Sequence, residues 1–197
     1  MKIGFFIPSY LPNIGGAEIA LHNYLINLNQ NKKLSVYLLI SFEAWVKMKL
    51  NRVTLPYQVK VIYFPLIFRV YKYTPSVAKF VMSFFLNFYH KKLKINIWHI
   101  IMMYPTATIC CDYFSNKGIP WVVRAIGVDI QTHKKLKYGY RINNEIDSLI
   151  VNKGTKASAY IASSKDVLCS KSNNLWDFSC VLHASFTSCL SWRKSTG

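Results

Sequence analysis

The sequence predicts an α/β fold built on a Rossmann-like, doubly wound parallel sheet. Six short runs rich in Val, Ile, Tyr and Phe lack strict polar alternation, which is typical of strands covered on both faces. These runs lie at residues 2–7, 35–40, 59–64, 97–102, 120–126 and 159–163. Helix-length segments lie between them, at residues 17–29, 75–94, 105–117 and 141–156. Strands that alternate with helices favour βαβ units, in which the strands run parallel.

The loop after the first strand, "PSYLPNIGG" (8–16), leads directly into the first helix. Gly15 and Gly16 let the backbone approach a ligand closely, and the helix N-terminus offers unpaired N–H groups and a positive dipole end. Glu18, in the first turn, either faces the ligand or only stabilises the helix dipole. The Walker and GxGxxG patterns are both absent. The loop therefore suits a phosphate or sugar diphosphate, and a tight turn without ligand is the alternative.

Further candidates lie near the end of the fifth strand and in the segment after it, because ligands bind at the carboxyl ends of strands in such sheets. Arg124, Lys134 and Arg141 are the nearest cations that could face a phosphate there, and ordinary surface charge is the alternative. Gly127 starts the loop after the fifth strand, and Asp129 either orders that loop or binds a ligand hydroxyl.

Composition limits the classes of partner. The formal net charge is +17, from 25 Lys and Arg against 8 Asp and Glu, which suits phosphorylated substrates, anionic lipid or nucleic acid. The basic residues form small clusters and no continuous run, so no nucleic-acid partner is expected. Five cysteines without a CxxC pair, and no His at zinc-finger spacing, predict neither a metal site nor a disulfide framework and fit a reducing cytoplasm.

The segment "FRVYKYTPSVAKFVMSFFLNFYHKKLK" (68–94) combines aromatic residues with flanking lysines. Its longest uncharged part, residues 80–90, is far shorter than the roughly 20 residues that span a bilayer. Basic amphipathic helices lie on anionic membranes, whereas a helix packed against the sheet would explain the same apolar residues. Aromatic side chains exposed on one face would favour the membrane.

Four segments occur in an order that a known family shares. They are "IPSYLPNIGGAEIALHNYLINL" (7–28), "INIWHIIMMYPTA" (95–107), "GIPWVVRAIGVDI" (118–130) and "YGYRINNEIDSLIVNKGTKASAYIASSKDV" (138–167). Together they resemble glycosyltransferases of family 4, in which a P-x-x-GG-x-E turn, a D-V-V-H-x-H strand and a P-x-V-V-T-x-H-G-x-D-I segment follow one another. The resemblance covers residues 1–168.

His99 falls on the first histidine of the family's H-x-H motif, and the second position is Ile101. The histidine that the family has before Gly127 is replaced by Ile126. His99 is thus the one catalytic side chain that the resemblance suggests, and a core residue in an apolar strand is the alternative.

The resemblance implies one half of a GT-B transferase, which moves a sugar with retention from a nucleotide-sugar donor to a polysaccharide or lipid-linked acceptor in cell-envelope biosynthesis. Residues 1–168 would be the acceptor-side domain, and no cofactor is implied besides the nucleotide sugar, which is a substrate. We expect the C-terminal donor domain to be absent and the chain to be inactive alone.

Residues 169–197 are predicted to be an irregular tail, and a reading-frame change is one explanation of their different composition. The expected location is the cytoplasm, with peripheral attachment to the inner face of the plasma membrane. A non-catalytic remnant, or a module that binds an acceptor or a membrane surface, is the alternative function.

Overall fold

The computed structural model describes residues 1–65, 67–133, 136–154, 156–162 and 181–183, with the backbone alone for residues 67, 69 and 181–183. In these ranges the strands are β1 (Lys2–Phe6), β2 (Ser35–Ser41), β3 (Val59–Phe64), β4 (Ile97–Ile101), β5 (Trp121–Ala125), β6 (Ala159–Ala162) and β7 (Val181–His183). The helices are α1 (Gly16–Asn29), α2 (Phe42–Leu50), α3 (Ile67–Tyr73), α4 (Pro75–Leu93), α5 (Thr108–Asn116) and α6 (Asn144–Gly154). The predicted α/β class with a parallel sheet is confirmed, and all six predicted strands end within one residue of their predicted bounds.

The chain divides into two compact units, Met1–His99 and Ile100–Gly197. In the first unit the strand order is β3-β2-β1, and then β4 as far as His99. The β1–β2 and β2–β3 pairs are parallel. An order that runs outward from β1 to β3 and then returns to the other side of β1 is the start of a doubly wound sheet.

Gly4 allows β1 and β4 to approach each other closely in the first unit. A Cβ on Gly4 would lie 2.7 Å from Cε3 of the buried Trp98 indole. A rigid ring without free space cannot yield to such a contact, so this position in the strand requires glycine.

In the second unit, β5 pairs with β6 and β6 with β7, and both pairs are parallel. The α5 and α6 helices are joined by Asp112, which accepts hydrogen bonds from Lys153 Nζ at 2.8 and 2.9 Å and from Lys156 Nζ at 3.4 Å. Burial acts to raise the pKa of Asp112, but the two lysines outweigh it and hold that pKa below its ordinary value. The short β7 lies in the stretch predicted as an irregular tail, and the rest of residues 169–197 lies outside the described residues.

The helices differ from the prediction where a cap or a short element intervenes. The α2 helix was missed because Ser41 is both the last residue of β2 and the N-cap, with Oγ accepting from Ala44 N at 3.2 Å. The α3 helix, also missed, has only seven residues. The α6 helix begins at Asn144 and not at 141, because Asn143 Oδ1 accepts hydrogen bonds from the N–H groups of residues 145 and 146.

The predicted helix over 105–117 is in two parts. An irregular helical turn covers Met103–Ala107, and α5 follows it. Met102, just before the turn, has a φ of 83°, which breaks the path from β4 into a regular helix.

Candidate functional site

The Gly15–Gly16 pair begins α1, at the place that the sequence predicts. Gly15 is the N-cap with extended backbone, and its carbonyl accepts a hydrogen bond from Ile19 N at 3.0 Å. A Cβ on Gly15 would lie 2.5 Å from Glu18 Oε2, so the Glu18 carboxylate occupies the space over this glycine. No atom lies within 4 Å of a Cβ built on Gly16. Since a carboxylate at a helix N-terminus is stabilised by the dipole, an anion approaching Gly15 competes with Glu18, whereas the side of Gly16 is open.

A buried polar cluster holds the loop that precedes these glycines. The Tyr57 hydroxyl shares hydrogen bonds with the Tyr10 hydroxyl and, at 2.9 Å, with His22 Nδ1. Burial, aided by Tyr57, raises the pKa of Tyr10 well above its ordinary value. Burial also raises the pKa of Tyr57, against the opposing effect of its hydrogen bond with Tyr10. The cluster thus joins three side chains, from the loop, from α1 and from the segment before β3.

A cavity of about 250 Å³ opens at the carboxyl ends of β1, β2 and β3, and we call it the strand-end cavity. Its lining residues come from the loop after β1, the start of α2 and the segment after β3: Pro8, Ser9, Asn13, Ser41, Glu43, Ala44, Lys47, Phe64 and Phe68. Asn13 Nδ2 donates to Ser9 Oγ at 3.0 Å, which orders the polar wall. Hydroxyl, amide, carboxylate and ammonium groups thus face the same space as two phenyl rings, all within the first unit.

His99 lies in β4 and is 6% exposed. Its imidazole packs against Phe5 at 5.0 Å and against Tyr24 at 6.1 Å between ring centroids. The side chain is therefore part of an aromatic cluster in the first unit, an environment that fits the core alternative given for this residue.

Asp129 is fully buried in the second unit. Its Oδ2 accepts from Met103 N at 2.5 Å, and its Oδ1 accepts from Ile126 N at 3.0 Å. Burial raises the pKa of Asp129, and the backbone hydrogen bonds oppose that shift without cancelling it. Since both oxygens accept from backbone donors, the carboxylate of Asp129 joins the segments that follow β4 and β5.

Two glycines shape the same part of the second unit. Gly127 has a φ of 100°, and its carbonyl accepts from Ile130 N at 2.9 Å and from Gln131 N at 2.7 Å. Gly139 has a φ of 103°, and a Cβ there would lie only 1.9 Å from the carbonyl oxygen of Gln131. A side chain at either position meets a backbone conformation that L-residues rarely adopt, and at Gly139 it also meets a fixed oxygen.

Two of the three predicted cations lie in the described residues, and both are engaged or buried. Arg141 Nε pairs with Asp147 Oδ1, and its Nη1 donates to Ile130 O at 3.4 Å. Arg124 is buried in β5. Lys134 lies outside the described residues. Arg141 therefore ties the loop after β5 to the first turns of α6.

Within the described ranges, the structure shows neither a metal-binding group nor a helix that could cross a membrane. No group of three or more His, Cys, Asp or Glu residues there is placed to hold a metal ion. Cys110 and Cys111 are buried in α5, and burial raises the pKa of the Cys110 thiol, whereas the other three cysteines lie outside the described residues. None of the helices described is both long enough and apolar enough to cross a bilayer.

Sequence reasoning missed the Tyr10–Tyr57–His22 cluster and the strand-end cavity. His22 follows Glu18 by one helical turn, so it shares a helix face with a predicted site residue, and this spacing is a usable signal. Tyr57 has no local signal, because its partners lie 35 and 47 residues away in the chain.

The sequence matches no protein-family model and no curated protein. Solved structures do match in fold. One is Phytolacca americana UGT2 complexed with UDP-2fluoro-glucose and pterostilbene, with a TM-score of 0.54 at 12% identity over 83% of this chain and 47% of the other. A second is a UDP-GlcNAc 2-epimerase from Neisseria meningitidis bound to UDP-GlcNAc, with a TM-score of 0.52 at 12% identity over 86% and 42%. A third is the lipopolysaccharide outer core galactosyltransferase WaaB in its apo form, with a TM-score of 0.51 at 12% identity over 88% and 43%.

The chain spans less than half the length of these structures. At such identities the likeness concerns the fold, and because it includes transferases and epimerases alike it does not single out family 4. The chain has the Rossmann-like α/β fold that GT-B glycosyltransferases and UDP-GlcNAc 2-epimerases share.

Proposed function

We propose that this chain is the acceptor-side part of a retaining glycosyltransferase of family 4. In this proposal a nucleotide sugar gives its sugar to a polysaccharide or glycolipid acceptor of the cell envelope, at the cytoplasmic face of the plasma membrane. The fold is compatible with this role, and two of the matched structures, the Phytolacca americana UGT2 and the Neisseria meningitidis epimerase, name a UDP-sugar as their ligand. The donor would need a second domain to hold it, as in the family that the sequence resembles.

The observation that carries the proposal is the strand-end cavity. A sugar ring offers hydroxyl groups around its rim and an apolar C–H face, and this cavity offers Ser9, Asn13 and Lys47 together with the Phe64 and Phe68 rings. Few, well-placed polar groups beside an apolar wall are what small-ligand sites generally contain. Its position at the carboxyl ends of parallel strands is also the usual one for ligands in this type of sheet.

The chemistry proposed needs little from side chains of this domain. In a retaining transfer the donor phosphate oxygen can accept the proton of the acceptor hydroxyl, while N–H dipoles stabilise the departing diphosphate. We assign the dipoles to the first turn of α1 at Gly15 and Gly16, with Glu18 displaced from the space that it occupies over Gly15. His99 has no assigned proton-transfer role in this scheme.

The residues of the second unit act in this scheme by positioning. Asp129 and Gly127 fix the loop after β5, and Arg141 ties it to α6. Arg124, buried in β5, supports the same region. Their substitution would disturb the folding of the loop after β5 itself.

Binding of acceptor sugars to the intact chain tests the proposal. Saturation-transfer NMR with monosaccharides, and titration with polyprenyl-phosphate sugars, should detect binding. The variants Asn13→Ala and Lys47→Gln should each weaken it by about tenfold, or about 1.4 kcal/mol, because the first removes an amide and the second removes the ammonium charge that strengthens a hydrogen bond.

Lys49→Gln is the matched control, because Lys49 lies on the same helix, loses the same charge, and does not line the cavity. Equal binding by the Lys47 and Lys49 variants would contradict the assigned site. If the chain bound no sugar and no sugar phosphate at all, the proposed function itself would be contradicted. Transfer from labelled nucleotide sugars, with and without a donor-side domain from a family 4 enzyme, would then test the chemistry.

A second candidate is a binding module without catalytic activity. It is favoured by the pairing of Arg141 with Asp147 and by the aromatic packing of His99, both of which leave these side chains in structural roles. This candidate predicts sugar or membrane binding as above, but no label transfer in any combination with a donor-side domain.

A further inference from the structure

The α4 helix is apolar on two opposite faces. Its inner face is buried, through Ala78, Met82, Leu86 and Leu93. On the other side Val77, Phe80, Phe84 and Phe88 are 53%, 76%, 64% and 47% exposed, and these four residues are called the α4 outer face. Their spacing of three or four residues aligns them in one stripe along the helix. The inner face explains packing against the unit, so the outer face needs a separate explanation.

Single exposed apolar side chains are ordinary on protein surfaces, but a contiguous stripe is not. Three phenylalanines in this stripe present large rings to water and carry no hydrogen-bonding group. Tyr73, two residues before α4, is also 78% exposed. A surface of this kind marks an interaction site.

Positive charge lies at both ends of the stripe. Lys72 places Nζ 5.8 Å from the centre of the Tyr73 ring, and Lys92 places Nζ 5.1 Å from the centre of the Phe88 ring. Lys91 and Lys94 are exposed near the end of the helix. The sequence between Glu43 and Asp112 contains ten Lys or Arg residues and no Asp or Glu. The partner of this surface must therefore be anionic as well as apolar.

An apolar groove adjoins the α4 outer face. It encloses about 570 Å³ and shares Val77 with the stripe. Tyr63, Val70, Val81 and Phe85 are among its other lining residues, and almost all of the lining is apolar. A space of this chemistry accepts hydrocarbon, such as part of an acyl chain, and offers little to a polar peptide backbone.

From these observations we infer that α4 lies flat on an anionic lipid bilayer through the α4 outer face. The rings enter the boundary between headgroups and acyl chains, and Lys72, Lys91, Lys92 and Lys94 remain at the level of the phosphates. The 19-residue helix lies on the bilayer and does not cross it. This inference does not rest on the proposed sugar transfer, since lipid binding requires neither a donor nor an acceptor.

Sedimentation of the full chain with vesicles tests the inference. Binding should be strong to mixed phosphatidylglycerol–phosphatidylcholine vesicles and weak to phosphatidylcholine alone. The double variant Phe80→Ser/Phe84→Ser should lower the affinity for the mixed vesicles by at least about tenfold, because the apolar area of two rings is no longer transferred from water into the bilayer. The double variant Lys91→Gln/Lys92→Gln should lower it by several-fold and reduce its dependence on salt.

Each variant has a control that makes the same kind of substitution at exposed positions away from α4. Leu50→Ser/Leu136→Ser removes two apolar side chains that are each 77% exposed elsewhere, and Lys32→Gln/Lys33→Gln removes two charges from the turn before β2. Both controls should bind the mixed vesicles like the unsubstituted chain. Circular dichroism and the thermal midpoint should be unchanged in all four, since every substituted side chain is exposed.

Three results would overturn the inference. The first is that the chain does not bind the mixed vesicles, and the second is that the phenylalanine variant binds them as well as its leucine control does. The third is that sedimentation equilibrium shows a dimer of the unsubstituted chain, a monomer of the phenylalanine variant, and no binding to vesicles. That result would assign the α4 outer face to a second copy of the chain.

Discussion

The loop after β1 and the loop after β5 use their polar side chains in opposite ways. In the loop after β5, Asp129 and Arg141 satisfy backbone groups and an ion pair, so the charges hold the loop itself. In the loop after β1, the buried hydroxyl of Tyr10 does the holding, and Ser9 and Asn13 line a cavity. A charged residue at a strand end therefore indicates a ligand only when other groups already satisfy the loop's backbone.

The largest expected effect separates the glycines of the two units. Gly139→Ala should destabilise the chain by more than about 3 kcal/mol, because the new methyl group meets the Gln131 carbonyl oxygen in a left-handed backbone conformation. Gly16→Ala should leave stability unchanged or raise it by about 0.5 to 1 kcal/mol, since the space there is open and the residue begins a helix. Urea unfolding of both variants measures the difference. Equal losses would mean that the two loops are equally constrained.

A smaller effect is expected at Asp129. Asp129→Asn should lower the free energy of unfolding by about 2 kcal/mol. The two carboxylate oxygens accept from two backbone N–H groups, and the side-chain NH2 of Asn would face one of these donors with another donor. Lys47→Gln, in the cavity of the first unit, should change the free energy of unfolding by less than about 0.5 kcal/mol. Urea unfolding measures the free energy of unfolding of both variants. If Asp129→Asn left that free energy unchanged, the Asp129 carboxylate would be available for a role in ligand binding.

The smallest effect concerns the hydroxyl cluster beneath the first loop. Tyr57→Phe should cost about 1 kcal/mol, because the Tyr10 hydroxyl and His22 lose a shared partner. Both tyrosines have raised pKa values, so their contribution to stability is present below the ordinary value of 10.0 and is lost as pH rises through the higher folded-state values. The thermal midpoint of the variant should therefore fall less steeply than that of the unsubstituted chain between neutral pH and about pH 11.

Tyr73→Phe is the control for this experiment, since Tyr73 is exposed. It should match the unsubstituted chain at every pH. A Tyr57 variant with the same alkaline slope as this control would show that the cluster does not titrate as a unit with folding.

The strands were predictable because burial on both faces leaves a plain signal, a short apolar run, whatever the neighbours are. The α1 and α4 helices were predictable for a similar reason, since their lengths and ends are marked by Gly15–Gly16 and by Pro75. The α2 helix was not, because Ser41 ends a strand and caps a helix at once and no turn residue separates them.

The candidate site was less predictable than the fold. The sequence locates Gly15, Gly16 and Glu18 at a helix start, but only the three-dimensional structure shows that the Glu18 carboxylate fills the space over Gly15. Asp129 and Arg141 have the residue types of a binding site, and the partners that engage them are backbone groups, which no side-chain pattern reveals.

The α4 outer face also bears on how the protein behaves in plain buffer. Exposed phenylalanine rings favour self-association, while a net charge of +17 keeps copies apart. That repulsion reaches only about 10 Å at 0.1 M salt and less at higher concentrations. The colloidal stability of the chain should therefore be greatest in dilute buffer, and salting during purification should promote aggregation through the same rings that we assign to lipid.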